Sequence, residues 1–161
     1  MEIFISTFLK IFFLMTPFFV LTMFLTITQD ATIRQRKALA IKVTISVTII
    51  SLILLFFGKH IFSIFGITLD AFRIGAGALL FLTAVDLVKG TEHTSKVGHK
   101  DISQVAVVPL SIPMIIGPGT TGILLVMGAT FDNTSSMFMG SLSLLLAVLS
   151  IGLMLYTSSF L

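Results

Sequence analysis

Residues 105–126 read VAVVPLSIPMIIGPGTTGILLV, a run as apolar as a membrane-spanning helix that nevertheless contains three prolines. Pro118, the last of them, lies between Gly117 and Gly119. Proline lacks an N–H group and clashes with the preceding turn, and glycine adds backbone freedom, so the pattern predicts a helix that is broken near residues 117–119. A break inside hydrocarbon exposes backbone groups and is tolerated where they line a cavity or are buried in protein. Such breaks are typical of transporter binding sites.

The composition places the chain in a membrane. Of its 161 residues, 56% are hydrophobic and 11% are charged, and the mean hydropathy is +1.12, beyond the range of soluble globular domains. The chain has no cysteine, which excludes disulfides and thiol chemistry. In such a chain the net charge of +3 is an orientation signal and not a nucleic-acid footprint, so no nucleic-acid partner is expected.

Hydrophobic runs long enough to cross about 30 Å of hydrocarbon predict an all-α membrane protein with five transmembrane helices in a single domain, residues 1–161. The predicted spans lie at about 4–28, 38–57, 70–89, 104–130 and 137–160. Seven of the ten Lys and Arg residues fall in or beside the first and third loops. The positive-inside rule therefore places these loops in the cytoplasm and the N-terminus outside.

A shift of 101 residues predicts an internal repeat of three spans. It superposes Pro17, in the middle of the first span, on Pro118 of the fourth, and it carries the second span onto the fifth. Three is an odd number of spans, so the second unit would be inverted across the membrane, as in many secondary transporters. A counterpart of the third span would begin near residue 171, beyond this chain. The predicted segments are repeat one at about 1–90, a linker at about 90–103 and an incomplete repeat two at about 104–161.

The mid-span Pro17, the stretch FGITLDAFRIGAGALLF at residues 65–81 and VPLSIPMIIGPGTTGILL at residues 108–125 together resemble the MarC family of bacterial inner-membrane proteins. The resemblance covers nearly the whole chain. It implies a multi-pass protein of the bacterial inner (plasma) membrane, with six spans and an external N-terminus. It also implies transport of small neutral amino acids such as glycine and alanine, to which some members have been assigned. This sequence departs from the family pattern in having no sixth span and in carrying Thr16 where asparagine is common.

The predicted function is therefore transport of a small zwitterion, bound between the broken first and fourth helices near the bilayer midplane. N–H groups at a half-helix would bind its carboxylate, and freed carbonyl groups would bind its ammonium group. H+ and Na+ are the candidate coupling ions. The predicted substrate-binding residues flank the two prolines: Thr16, Pro17, Gly117, Pro118, Gly119, Thr120 and Thr121. Three charged residues of the third span are candidates for the pathway: Asp70, Arg73 and Asp86.

Each of these residues also has a purely structural interpretation. The proline of the first span can kink a helix, the glycines around Pro118 can serve a close helix crossing, and the two threonines can cap the helix that follows. Asp70 can favour the start of its helix while Arg73 reaches the lipid headgroups. Asp86 can pair with Lys89 near the other end of the same span.

The alternative function is a non-transporting assembly protein, or a passive channel, that forms homo-oligomers through small-residue helix faces. Two such faces lie on the third and fifth spans: Ala71, Gly75 and Ala78, and Ser136, Gly140, Ser143, Ala147 and Ser150. The sequence contains no catalytic pair of acids, nucleophile motif or phosphate-binding loop, so neither an enzyme activity nor a cofactor is expected. His93 and His99 match no metal-ligand spacing, so no metal site is expected either.

Overall fold

The computed structural model describes residues 2–88, 115–131 and 133–159, except for the side chains of residues 2, 3, 59, 83, 86 and 87. Of these residues 88% are helical, and none of them forms a strand. The helices follow one another in chain order: α1 (Glu2–Leu14), α2 (Pro17–Ile27), α3 (Ile33–Phe65), α4 (Leu69–Val88), α5 (Pro118–Thr130) and α6 (Thr134–Ser158).

Three segments of the described residues are long and apolar enough to cross a membrane. The first is Phe4–Ile27, which includes most of α1 and all of α2. The other two are Ile33–Gly58, within α3, and Thr134–Ser158, which is α6. These segments confirm an all-α protein with membrane-spanning helices. The first part of the predicted fourth span and the predicted linker at about 90–103 lie outside the described residues, so the count of five spans stays a prediction.

α3 is longer than the predicted second span of residues 38–57. It begins after Thr32, whose hydroxyl accepts from the N–H of Gln35 while the Gln35 side chain accepts from the N–H of Thr32, a reciprocal capping box. The helix runs to Phe65 and ends at Gly66, whose φ of 61° lies in the left-handed region. Hydropathy therefore predicted the apolar part of α3, whereas the ends of the helix are determined by its capping residues, Thr32 and Gly66.

α3 has a buried side and a lipid-facing side. Val47 and Leu55, which point into the bundle, are at most 2% exposed. Isoleucines recur at four-residue steps on the opposite side and are each about half exposed: Ile41, Ile45, Ile49 and Ile53. An exposed apolar stripe of this kind is typical of a surface covered by lipid tails.

α3 and α5 cross at close range, and at the crossing a glycine of each helix lies against the backbone of the other. Gly128 of α5 lies against the carbonyl group of Leu55, and Gly58 of α3 lies against the carbonyl group of Leu125. A Cβ atom on either glycine would collide with backbone atoms, which cannot move aside as a flexible side chain can. Small residues at such a crossing let two helices approach closely, as is usual in membrane bundles.

The small-residue face predicted on the fifth span is packed inside this chain. Gly140, Ser143 and Ala147 of α6 are buried. Ser143 Oγ donates to the carbonyl of Met139 and lies 3.4 Å from the carbonyl oxygen of Phe4 in α1. α6 therefore packs against α1 through Ser143 on this face, within the chain.

The small-residue face predicted on the third span is not covered by another helix in the described part of the chain. Nothing lies within 4 Å of a Cβ built on Gly75 or Gly77, and the small-residue face of α4 is exposed. Phe72 and Ala76, on a neighbouring face of α4, instead contact Gly122 of α5. Periodicity locates a small-residue face correctly, but the neighbouring helices decide which face is covered.

Candidate functional site at two helix breaks

The first predicted break is present between Leu14, where α1 ends, and Pro17, where α2 begins. Thr16 has φ 48° and ψ 59°, in the left-handed region that β-branched residues rarely adopt. Its N–H donates to the carbonyl of Phe13 at 3.0 Å. Pro17 occupies the first position of α2, where a missing N–H is harmless. The first span therefore stops and restarts at this point.

The break removes helical donors from the end of α1. In a continuous helix the Phe12 carbonyl would accept a hydrogen bond from the N–H of Thr16, and the Leu14 carbonyl would accept one from the N–H of Phe18. Here the N–H of Thr16 donates to the carbonyl of Phe13 instead. The Phe12 carbonyl accepts neither from the N–H of Thr16 nor from the N–H of any other described residue outside the helices. Because the carboxyl end of a helix carries partial negative charge, the end of α1 suits a cation such as an ammonium group.

The second predicted break lies directly before α5. Gly117 is extended, with φ −78° and ψ −178°, and the helix begins at Pro118. The Gly117 carbonyl accepts the first helical hydrogen bond, from the N–H of Thr121 at 2.9 Å. The N–H groups of Gly119 and Thr120, in the first turn, have no acceptor within the helix. This positive end of α5 therefore suits an anion such as a carboxylate.

The side chain of Thr120 forms a hydrogen bond across the second break. Thr120 is 3% exposed, and its hydroxyl donates to the carbonyl of Ile115 at 3.1 Å. The N-cap of α5 is Gly117, so the interpretation of Thr120 and Thr121 as capping residues is wrong. Because the hydroxyl of Thr120 already donates to Ile115, the backbone N–H is the group of Thr120 that a ligand could bind.

The structure brings the two breaks together. A Cβ on Gly119 would lie 3.7 Å from Leu14 Cδ1 and 3.2 Å from Leu80 Cδ2. The side chain of Leu14, at the end of α1, and the side chain of Leu80, in the middle of α4, therefore lie against Gly119 in the first turn of α5. Among the predicted site residues around these ends, Pro17 is buried, whereas Thr16 and Pro118 are exposed.

Two of the three predicted pathway charges, Asp70 and Arg73, lie away from the breaks. Arg73 Nη1 lies 3.1 Å from Asp70 Oδ1 in the first turns of α4, and the two side chains are 50% and 85% exposed. Leu80, which lies against Gly119, is about 10 Å further along the helix than Arg73. Asp86 is in the last turns of α4, and its side chain lies outside the described part of the structure.

Sequence reasoning missed a buried serine on α3. Ser51 is 0% exposed, and its Oγ has no hydrogen-bond partner among the described residues. It lies one turn from both Val47 and Leu55, on the face that α3 turns towards the bundle. A single hydroxyl in an otherwise apolar stripe was the signal that could have identified it. The position of Leu80 against Gly119 had no such signal, because it depends on the packing of α4.

A metal site is not formed by the described residues, which contain no group of three or more His, Cys, Asp or Glu side chains close enough to hold an ion. His93 and His99 lie outside the described ranges. The absence of a metal and of a cofactor therefore stays a prediction.

The sequence has a match among known protein families. The sequence description of the MarC family of integral membrane proteins matches residues 1–161, the whole of the chain. The chain belongs to the MarC family. This MarC protein is therefore an integral membrane protein, in agreement with its three apolar helices.

Curated relatives of this MarC protein are UPF0056 membrane proteins. One from Buchnera aphidicola is 33% identical over 153 residues, which cover 91% of this chain and 71% of the relative. One from Methanocaldococcus jannaschii is 35% identical over 125 residues, covering 74% and 55%. YhcE of Escherichia coli is 29% identical over 142 residues, covering 84% and 66%. This MarC protein thus spans only part of the length of these relatives. No solved structure matches the chain.

Proposed function

We propose that this MarC protein is a membrane transporter of small neutral amino acids, with glycine and alanine as candidate substrates. The observation that carries the proposal is the junction of two opposite helix ends, where Leu14 of α1 lies beside Gly119 of α5. A zwitterion offers one charge to each end. Residues 14–17 fall near the middle of the apolar segment Phe4–Ile27, which favours a site at the depth where transporters bind substrate.

The free backbone groups at the junction match the two charges of an amino acid. The N–H groups of Gly119 and Thr120 would donate to the carboxylate, and the carbonyls of Phe12 and Leu14 would accept from the ammonium group. Hydrogen bonds to charged groups contribute about 1.5–3 kcal/mol each, so a few of them suffice for reversible binding of a small solute. Neither helix end requires a charged side chain for this purpose.

The walls of the junction favour a small substrate. A single methyl group on Gly119 would already lie 3.2 Å from Leu80 and 3.7 Å from Leu14. Side chains of this kind leave little room beside the N–H groups. Glycine and alanine fit this constraint better than branched or aromatic amino acids.

We further propose that the helices form an inverted repeat, with the N-terminus outside a bacterial inner membrane and H+ or Na+ as the coupling ion. The helix starts support the repeat: Pro17 and Pro118 are 101 residues apart, and so are Ile33 and Thr134. The packing supports it as well, because α5 packs on α3 while α1 and α2 pack on α6. Seven of the ten Lys and Arg residues, in or beside the first and third loops, support the orientation.

Counterflow in liposomes tests the proposal. Purified protein is reconstituted, and exchange of labelled glycine and alanine is measured with and without a proton or sodium gradient. We expect saturable exchange in the wild type and its loss in Gly119→Leu, whose side chain would fill the space between Leu14 and Leu80. Gly77→Leu is the matched control, since no atom of the described residues lies within 4 Å of its Cβ.

Each outcome of this experiment has a distinct meaning. Absence of exchange in correctly folded wild-type protein would contradict amino-acid transport. Normal exchange in Gly119→Leu would place the site elsewhere. Flux that does not saturate would indicate a passive channel. Size-exclusion chromatography and far-ultraviolet circular dichroism verify that both variants fold.

A non-transporting assembly function is the second candidate, and the exposed small-residue face of α4 is the observation that favours it. The face of α6 is not available for this role, because Ser143 and Ala147 are buried within the chain. Association through α4 should fail in Gly75→Leu while the monomer still folds. A stable oligomer that has no flux, and that Gly75→Leu dissociates, would favour this function over transport.

A further inference from the structure

Ser51 of α3 is a buried polar residue to which the proposed junction gives no role. Its Oγ has no hydrogen-bond partner among the described residues. The other buried serine and threonine hydroxyls of the described chain each donate to a backbone carbonyl: Thr28, Thr120, Ser143, Ser158 and Ser159. A buried hydroxyl without a partner is costly, and a bound solute is one partner that would remove the cost.

Two contacts of α3 place Ser51 at the level of the second break. Val47, one turn before it, borders the same cavity as Ile115, which precedes the break. Leu55, one turn after it, lies against Gly128 in the last turns of α5. The three α3 residues are spaced four apart and are buried on one face of the helix. Ser51 therefore faces the stretch between Ile115 and Gly128, which contains the break and the first turns of α5.

The side of α5 that meets α3 carries Thr120. Thr120 and Leu124 precede Gly128 at four-residue steps, and all three are buried. The hydroxyl of Thr120 already donates to the Ile115 carbonyl, whereas its N–H has no acceptor within the helix. Ser51 is therefore the side chain on the α3 side of this turn whose hydroxyl hydrogen is still available.

We propose that Ser51 is a substrate-binding residue, whose hydroxyl donates a hydrogen bond to the carboxylate of a small solute at the start of α5. The inference rests on the proposed function and adds one side chain to the backbone N–H groups of Gly119 and Thr120. The ligand class is a small solute that carries a carboxylate.

The surroundings of Ser51 favour an anion as its partner. A hydroxyl can donate or accept, but the first turn of a helix carries partial positive charge and presents N–H groups. A carboxylate there accepts from the N–H groups and from the hydroxyl together, and a hydrogen bond to a charged group is stronger than one between neutral groups. Ser51 and Thr120 are 0% and 3% exposed, so the solute reaches them only when the first turn of α5 moves away from α3.

The unpaired hydroxyl gives the proposal a sign that a packing role would not have. Without solute, Ser51→Ala removes an unpaired polar group and should stabilise the protein. With solute, the same substitution removes a hydrogen bond, so the solute should protect the variant less than the wild type. A serine that only packs would leave protection by the solute unchanged.

Protection against unfolding by SDS in mixed micelles measures these effects. A solute that binds the folded protein raises its stability in proportion to its affinity, so the dependence on concentration gives an apparent Kd. The probes are glycine, acetate, which has the carboxylate alone, and methylamine, which has the ammonium group alone, with chloride at matched ionic strength. Ser51→Thr keeps the hydroxyl, and Ser143→Ala, which removes a buried hydroxyl on α6, is the matched control.

We expect Ser51→Ala to raise the apparent Kd of glycine and acetate at least about tenfold and to leave that of methylamine unchanged. Ser51→Thr and Ser143→Ala should keep the wild-type affinity for glycine. Wild-type affinity for glycine in Ser51→Ala would overturn the proposal. An equal loss of affinity for methylamine would overturn it too, because Ser51 would then act through the packing of the site. Protection by chloride as strong as that by acetate would refute a carboxylate as the ligand.

Failure of this proposal can be told apart from failure of amino-acid transport. Glycine exchange that is the same in wild type and Ser51→Ala refutes the role of Ser51 alone. Protection by acetate that depends on Ser51, in a protein that neither binds nor exchanges glycine, refutes amino-acid transport alone. A folded wild type that no carboxylate solute protects contradicts both.

Discussion

Replacing Thr16 with asparagine should stabilise the protein. Thr16 has φ 48° and ψ 59°, and it is the one non-glycine residue with positive φ in the described structure. The left-handed conformation costs an L-residue about 1–2 kcal/mol, and asparagine tolerates it far better than a β-branched residue does. Thr16 is exposed and makes no side-chain cap hydrogen bond, so little is lost on replacement. We expect the free energy of unfolding to rise by about 1 kcal/mol.

Unfolding by SDS in mixed micelles, followed by far-ultraviolet circular dichroism, measures this change. Thr16→Val keeps the β-branch and should change the stability little. Thr16→Gly relieves the strain but adds freedom to the unfolded chain, so it should fall between wild type and asparagine. Thr26→Asn, in the regular part of α2, is the control and should not stabilise. The reasoning is refuted if asparagine at position 16 fails to stabilise, or if valine stabilises as much.

Three further predictions use the same unfolding assay. Gly128→Ala should cost at least about 1–3 kcal/mol because its Cβ collides with the backbone of Leu55, whereas Gly77→Ala should be neutral or stabilising; equal effects would contradict the close crossing. Ser51→Ala should stabilise by about 1 kcal/mol, because it removes a buried hydroxyl that has no partner, and a loss of stability would reveal one. Thr32→Ala should cost about 1 kcal/mol through loss of the capping box, and an unchanged midpoint would refute that role.

The breaks could be predicted from the sequence because the cause is local. Pro17 and Pro118 each occupy the first position of a helix, where proline is favoured, and neither position depends on a distant contact. Membrane insertion was predictable for a similar reason, since it follows from the length and polarity of each segment.

The neighbours of the breaks could not be predicted in this way. Glycine at position 119 is compatible with open space or with a close wall, and only the packing of α4 puts Leu80 against it. The small-residue faces of α4 and α6 are equally periodic, yet only that of α6 is buried. Periodicity specifies which residues share a face, whereas burial of that face depends on every other helix in the bundle.

The chemistry of the junction favours a binding site over a simple kink. A kink in lipid persists when the groups that it frees find partners, as the hydroxyl of Thr120 provides for the Ile115 carbonyl. At the end of α1, by contrast, the Phe12 carbonyl does not accept from the N–H of Thr16, which donates to Phe13, and the Leu14 side chain lies against Gly119 at the start of α5. Helix ends whose donors and acceptors stay unpaired are costly inside a bilayer unless a polar solute satisfies them. Under the proposed function, a zwitterion with its carboxylate towards α5 and its ammonium group towards α1 would satisfy both ends at once, and one span broken alone would not create that arrangement.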